Sequence, residues 1–318
     1  MVEREHQFTV LVAFGLVYLF WGSTYLAIDI AVQHIPPALM CALRFSISGP
    51  LMLAYCAITG RPVRASATDL LKLAVVGILL LTGGNLTLAW AEQYVSTGLS
   101  ALILASTPIW FLIIDSWVLR GERISRGGLV GVGLGIAGML VLIWPQLGSN
   151  RQFGSWQLIA VLGLLFSAVS WAVGSVLSRR WDHGGDPFVG TGWQMTFAAA
   201  ANLMIALASR EQKRANWTAH GLEAVFYLVI FGSWVGYTAY IYLLKHAPTA
   251  KVSTHAYVNP VIAVFLGWLI LHERVDIYIF AGTAVIVAAV VLVTSARVKR
   301  PTQQLPGKEE MPALETAK

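Results

Sequence analysis

The sequence predicts an all-α membrane protein whose ten transmembrane helices form two five-helix repeats of inverted topology. First, ten apolar stretches occupy most of the 318 residues, of which 57% are hydrophobic and 12% are charged. Second, residues 84–122 resemble residues 236–273. Third, an odd number of spans in each repeat forces the second repeat to enter the bilayer from the opposite side.

Each apolar stretch approaches the roughly 20 residues that a helix needs to cross a hydrocarbon core about 30 Å thick. None shows the strict alternation of a membrane β-barrel strand. We predict spans near residues 8–29, 36–59, 69–92, 96–119, 127–144, 156–178, 188–209, 220–244, 250–271 and 277–297. The first repeat then covers residues 8–144 and the second covers residues 156–297. Residues 298–318 are too polar to bury a core, so we expect a disordered cytoplasmic tail.

The basic residues predict the orientation of the chain. Fifteen of the 22 Lys and Arg lie in the segments assigned to the cytoplasm, and five lie in the outer segments. This asymmetry follows the positive-inside rule and places both termini in the cytoplasm. Because the basic residues follow this membrane pattern, the formal net charge of +6 does not indicate a nucleic-acid partner, and we predict none. The lipid bilayer is the predicted partner. The first stretch is too long for a signal-peptide core, so we interpret it as a retained helix.

One face of the first helix is aromatic. Tyr18, Trp21 and Tyr25 follow the spacing i, i+3 and i+7, which places them on one side of a helix. If this face met lipid, the two tyrosine hydroxyl groups would lack hydrogen-bond partners, at a cost of about 1–3 kcal/mol each. We therefore predict that these residues and Trp171, the repeat match of Trp21, bind substrate in a cavity. Packing between helices is the alternative.

The third and eighth helices carry different polar groups at matching positions. Asn85 in the first repeat matches Tyr237 in the second. We predict that both contact substrate, because unlike groups on the two sides of one cavity suit an asymmetric solute. Glu92 shares a face with Asn85, and an interfacial carboxylate is the simpler interpretation of it.

Arg44 begins the third turn of the second helix, at a depth where an unpaired Arg costs about 2.5–3.5 kcal/mol. Asp29 lies near the same membrane face. We predict a structural ion pair between Asp29 and Arg44. The alternative is that Arg44 contacts an anionic substrate.

Two prolines lie mid-span at matching depth, Pro108 in the fourth helix and Pro260 in the ninth. Each removes one backbone N–H and displaces a carbonyl, so we predict hinges, with static kinks as the alternative. The neighbouring Thr107 and Asn259 are predicted to bind substrate. His255 is a further predicted substrate contact; an embedded His can also relay protons or simply pack.

No cofactor or metal site is predicted. The small residues of the fifth and tenth helices, such as Gly131 and Gly282, indicate close helix packing rather than a nucleotide-binding loop. The sequence contains neither HExxH nor GxSxG, so a non-enzymatic role is expected. An intramembrane enzyme acting on a lipid or a small molecule is the alternative function.

Several short motifs occur in the order and duplication of a known family. The chain resembles the drug/metabolite transporter superfamily, in the branch built from two EamA-type domains. The residues that carry the resemblance are Phe20-Trp21-Gly22-Ser23, Pro36-Pro37, Arg44-Phe45, Thr107-Pro108, Gly121-Glu122, Trp171, Trp193-Gln194-Met195, Asn259-Pro260 and His272-Glu273-Arg274.

The resemblance implies a secondary transporter of the cell inner membrane, present as a monomer or homodimer. It further implies export of small organic metabolites or amino acids by alternating access. Proton influx is a candidate driving force.

Overall fold

A computed structural model describes residues 2–118, 127, 130, 131, 133–138, 140, 141, 155–181, 185–247, 252 and 255–295. Two π-helical segments, here named π1 and π2, interrupt the third and eighth predicted spans. The elements are α1 Val2–Val32, α2 Pro37–Ile58, α3 Ala67–Gly77, π1 Ile78–Leu86, α4 Thr87–Ala91, α5 Thr97–Leu104, α6 Thr107–Val118, α7 Ser155–Arg180, α8 Pro187–Ala208, a 3₁₀ turn Glu211–Lys213, α9 Ala219–Tyr227, π2 Leu228–Tyr237, α10 Thr238–His246, α11 His255–Ile270 and α12 Ile277–Ser295.

Several helices begin where the sequence supplies a side chain to accept a free backbone N–H. Ser66 Oγ accepts from Asp69 N at the start of α3, and Ser96 Oγ accepts from Leu99 N at the start of α5. Asp186 accepts from Phe188 N at 2.8 Å before α8. These caps satisfy donors that lack partners at a helix N-terminus.

Helices that match between the repeats run antiparallel, which shows that the repeats are inverted. The first turn of α2 meets the segment after α8, where Leu39 N donates to Glu211 Oε2 at 2.8 Å. The residues after α2 meet the start of α8, where Arg61 Nη1 lies 2.6 Å from Asp186 Oδ2. Likewise Thr97, at the start of α5, bonds Glu273, which follows α11. We name the two ends of the bundle the Glu273 end and the Asp186 end.

Each π segment packs against the first helix of the opposite repeat. Trp171 of α7 covers Gly84 of π1, where an added Cβ would lie 2.8 Å from Trp171 Cε3. Trp21 of α1 covers Gly236 of π2, where an added Cβ would lie 2.6 Å from Trp21 Nε1. Only glycine permits this approach, and the reciprocal contacts confirm the predicted two-repeat helical architecture.

The chain is a multi-pass membrane protein. Within the described ranges, five helical stretches are long and apolar enough to span a bilayer, and three further apolar helices are shorter. The glycine-bearing fifth span packs on α12, since Gly135 and Gly138 face Ala289 and Ile286. The predicted tail, residues 298–318, lies outside the described residues.

Candidate substrate cavity

A cavity lies between the two repeats, lined by residues of both. About 70 Å³ of it is open to the centre of a water molecule, whereas one water needs about 10–15 Å³ by this measure. The cavity therefore holds a few waters, and an organic solute would require the repeats to separate. The lining residues are Trp21, Thr24, Tyr25, Arg44, Leu81, Gly84, Asn85, Leu88, Ala101, Leu104, Ala105, Thr107, Ser167, Trp171, Gly232, Tyr237, His255, Ala256, Asn259 and Pro260.

Aromatic rings from both repeats meet at this cavity. The rings of Trp21 and Trp171 meet edge to face, with centroids 5.3 Å apart. Tyr240 lies 4.7 Å from Trp21 and 5.5 Å from Trp171, and the His255 ring lies 5.4 Å from Trp21. These distances fall in the range of favourable ring contacts. The cluster of edge-to-face and tilted rings gives the cavity an aromatic wall.

Hydrogen bonds fix the orientation of these rings. Trp21 Nε1 donates to the Gly232 carbonyl at 3.2 Å. Trp171 Nε1 donates to the Tyr240 hydroxyl at 3.1 Å, and that hydroxyl shares a 2.8 Å hydrogen bond with Ser175 Oγ. Rings held in this way present a fixed surface to a solute.

The π segments supply backbone acceptors where the first helices of the repeats cross them. Ser167 Oγ and Ser170 Oγ of α7 donate to the carbonyls of Gly84 and Leu79 in π1. The Gly232 carbonyl in π2 is the acceptor for Trp21 in the opposite repeat. π-helical turns change helix register, and they recur at functional sites. Here the carbonyls of the π segments accept hydrogen bonds that connect the two repeats beside the cavity.

The predicted Asp29–Arg44 ion pair is wrong. Arg44 Nε donates to Ser233 Oγ at 2.7 Å, and Nη1 donates to Asn85 Oδ1 at 3.1 Å. Asp29 instead accepts from Gln33 Nε2 at 2.7 Å, one turn further along the chain. Arg44 reaches across the cavity to π2, whereas Asp29 lies near the Glu273 end.

The second repeat holds a neutral version of the Arg44 contact. Gln194 stands at the position that matches Arg44, and Tyr237 stands at the position that matches Asn85. The Tyr237 hydroxyl donates to Gln194 Oε1 at 2.6 Å. Matching positions therefore bond in both repeats, but only the first repeat carries a charge there.

The two predicted hinge prolines occupy unlike positions. In the first repeat the helix breaks at residues 105–106, Pro108 is the second residue of α6, and Thr107 Oγ1 donates to the Leu104 carbonyl at 2.6 Å. In the second repeat α11 continues through Pro260. Asn259 Oδ1 is buried without a hydrogen-bond partner among the described residues, and Asn259 lines the cavity.

His255 and Glu92 are further buried ionisable residues in or near the cavity. His255 is 8% exposed, and its Nδ1 lies 2.8 Å from the Val252 carbonyl. Glu92 is 3% exposed and lies one turn beyond the cavity-lining Leu88, towards the Glu273 end. Neither of its carboxylate oxygens has a hydrogen-bond partner in the described part of the chain.

The structure brings nearly all of the predicted substrate-binding residues to this one cavity. Trp21, Tyr25, Asn85, Thr107, Trp171, Tyr237, His255 and Asn259 all line it, together with Pro260 and Arg44. Tyr18 does not line the cavity, and its ring packs near Phe14 at 5.9 Å between centroids. Sequence reasoning missed Tyr240 and Ser233, although Tyr240 follows Tyr237 at helical spacing.

Comparison with known proteins supports a transporter. The family described as the EamA-like transporter family matches residues 8–144 and 158–295. The uncharacterized inner membrane transporter YedA of Escherichia coli is 34% identical over 282 residues, which span 87% of this chain and 88% of YedA. The uncharacterized transporter YoaV of Bacillus subtilis is 23% identical, over 87% of this chain and 94% of YoaV.

A solved crystal structure shares the fold. Its TM-score is 0.65, with 22% sequence identity, and the match covers 90% of this chain and 97% of that one.

Proposed function

The chain belongs to the EamA-like transporter family, and we propose that it exports small organic metabolites or amino acids by alternating access. One observation carries the proposal: a cavity lined by both inverted repeats, with an aromatic wall and a few polar groups. Carriers built from inverted repeats bind solute at this interface and open by movement of one repeat against the other. A cavity that holds only a few waters suits a closed state between the two openings.

Contacts at both ends of the bundle fit such a movement. Glu273 accepts two hydrogen bonds from Thr97 at one end, and Arg61 pairs with Asp186 at the other. Each contact joins one repeat to the other. Breaking the contacts at one end, which at the Glu273 end include the Leu39–Glu211 hydrogen bond, while keeping those at the other would open the cavity to one side at a time.

Coupling to proton influx is the second part of the proposal. A buried carboxylate without a donor carries a large desolvation cost, and binding a proton removes its charge. Glu92 fits this description. Among the described residues, the ionisable groups that interact with Glu92 include Tyr25, Asp29 and Glu273, and none of these three supplies a positive charge. We propose that Glu92 takes up a proton during the transport cycle.

The proposed location is the cell inner membrane, with both termini in the cytoplasm. The basic residues support this orientation through the positive-inside rule. The Glu273 end would then face the outer side. Exported solute would enter the cavity from the Asp186 end.

Uptake by proteoliposomes tests the proposal. The purified chain, reconstituted into vesicles, is screened against amino acids and related metabolites with and without a pH gradient. We expect at least one small organic solute to accumulate faster than in protein-free vesicles, and the gradient to increase its accumulation. Mass spectrometry of the same samples distinguishes a transporter from an enzyme, because an enzyme would convert the solute into a product. Failure of every solute to accumulate would contradict the transporter proposal.

Glu92→Gln tests proton coupling separately. Gln has nearly the same shape but does not bind a proton at neutral pH, so we expect loss of gradient-driven accumulation. Exchange of solute across the membrane without a gradient should persist. Glu223→Gln is the matched control, since Glu223 is exposed and should leave both activities unchanged. An unaltered response to the gradient in Glu92→Gln would contradict the assigned role.

A further inference from the structure

We propose that Arg44 binds a carboxylate group of the transported solute, so that the cavity selects small organic monocarboxylates. The inference rests on the proposed function, because it assigns a substrate class to the same cavity. It starts from a buried cation that no described carboxylate neutralises: Arg44 is 3% exposed, and the ion pairs among the described residues do not include it.

The guanidinium group is held in place by neutral acceptors. A guanidinium has five N–H donors. Ser233 Oγ takes one from Nε, and Asn85 Oδ1 takes one from Nη1. The Phe45 ring lies 5.0 Å from Arg44 Cζ, which adds a cation–π contact. The three remaining N–H donors have no partner among the described residues, and Arg44 lines the cavity.

The backbone of Gly232 packs closely against the unpaired nitrogen, an approach that a side chain at this position would block. An added Cβ on Gly232 would lie 2.7 Å from Arg44 Nη2. The carbonyl of the same glycine accepts from Trp21 Nε1. Gly232 therefore lies between the charged group and the aromatic wall. A solute whose carboxylate accepts from Arg44 would place an attached apolar group against Trp21.

The charge available favours a single carboxylate over a phosphate. Arg44 is the one Lys or Arg among the described lining residues, and the His255 Nδ1 is engaged by a backbone carbonyl. A phosphate monoester near −2 would remain half uncompensated, whereas a carboxylate matches one guanidinium in charge and geometry. The matching position of the second repeat supports the same assignment, since Gln194 and Tyr237 satisfy each other without a charge.

Paired acids and amides test this inference on the purified full-length protein in detergent. The probes are propionate, 3-phenylpropionate, L-alanine and L-phenylalanine, each compared with its amide. Binding is measured from the rise of the thermal unfolding midpoint with probe concentration. We expect at least one acid to bind about 30-fold or more tightly than its amide. Preference for the amino acids or for the simple acids identifies the source of the carboxylate, and either preference supports the inference.

Variants at one position separate charge from fold. Arg44→Gln installs the residue that the second repeat carries at the matching position, and it should reduce the preference for the acid to about threefold or less. Arg44→Lys retains the charge but not the planar guanidinium that can donate two N–H groups to one carboxylate, so an intermediate preference is expected. Arg64→Gln is the control, because Arg64 is exposed and should keep the wild-type preference.

Equal binding of acids and amides to the wild-type protein, or no binding of any of the four acids, would overturn the inference even if Arg44→Gln fails to fold. The vesicle screen keeps this failure distinct from failure of the proposed function. Transport of neutral solutes alone would leave the transporter intact and remove the role of Arg44. Binding of acids without transport of any solute would support the carboxylate site at Arg44 and contradict the proposed transport function.

Discussion

Trp21 makes contacts with the opposite repeat through both its N–H and its ring. Its Nε1 donates to the Gly232 carbonyl, and its ring meets Trp171 and Tyr240 across the cavity. One residue therefore contributes to the cavity wall and to the joint between repeats. Tyr18, one turn earlier on α1, has no place in the cavity lining.

Trp21→Phe should reduce the rate of solute uptake about tenfold. Phe keeps a ring but removes the N–H donor, which leaves the Gly232 carbonyl without that partner and loosens the wall. Tyr18→Phe should stay close to wild type, although the helical spacing of the sequence groups Tyr18 with Trp21. Initial rates in vesicles, normalised to the amount of reconstituted protein, compare the two. Equal losses in both variants would place the effect in α1 as a whole.

Helical spacing and the internal repeat predicted most of the cavity, for a physical reason. Polar and aromatic residues are costly towards lipid, so their shared face on each helix points towards other protein or a cavity. The Asp29–Arg44 pair failed because depth in the membrane does not determine the direction of a side chain. Arg44 bonds Ser233, which is 189 positions away in the sequence, and no local pattern shows that contact.

The π segments are features of whole elements that the sequence pattern does not show. They contain no proline and are more apolar than the helical segments beside them, so their composition alone indicates an ordinary buried helix. Each segment meets a tryptophan from the opposite repeat at a glycine, a tertiary contact that the local sequence does not show. The wider π turns shift the helix register within each segment, and Asn85 and Tyr237, near the ends of the two segments, line the cavity.

Gly236→Ala should destabilise the protein by about 1–3 kcal/mol, as overpacking does in closely packed interiors. The added methyl group would lie 2.6 Å from Trp21 Nε1, and Trp21 moves only by losing its hydrogen bond. Gly15→Ala is the control, because nothing lies within 4 Å of its added Cβ. Thermal unfolding in detergent measures both. A stability unchanged by Gly236→Ala would show that the helices are less closely packed there.

The molecule as a whole is two antiparallel bundles joined at both ends around a central cavity. Polar contacts join the repeats at both ends, and the aromatic joint lies between them. Replacing a polar contact at one end by hydrogen bonds to water costs little net free energy. Either end can therefore open while the aromatic contacts at the centre stay in place. This division suits a carrier.

Glu273→Ala should make the cavity more accessible from the Glu273 end. The substitution removes both hydrogen bonds to Thr97, at 2.9 Å each, and so weakens that end relative to the Arg61–Asp186 contact. We expect a several-fold increase in the labelling rate of a cavity cysteine by an impermeant thiol reagent added on that side. Glu223→Gln removes a carboxylate elsewhere and should have no such effect. A labelling rate unchanged by Glu273→Ala would indicate that other contacts close this end.

Alternating access to the central cavity is tested most directly by labelling one cysteine from each side of the membrane. Ala105→Cys places a small thiol in the cavity lining, in a background where the buried Cys41 and Cys56 are replaced by Ser. We predict that an impermeant thiol reagent reacts with Cys at this position from either side, one side at a time, and that a transported solute slows both reactions. Labelling from one side only, under every condition that supports solute uptake, would contradict a cavity that opens alternately.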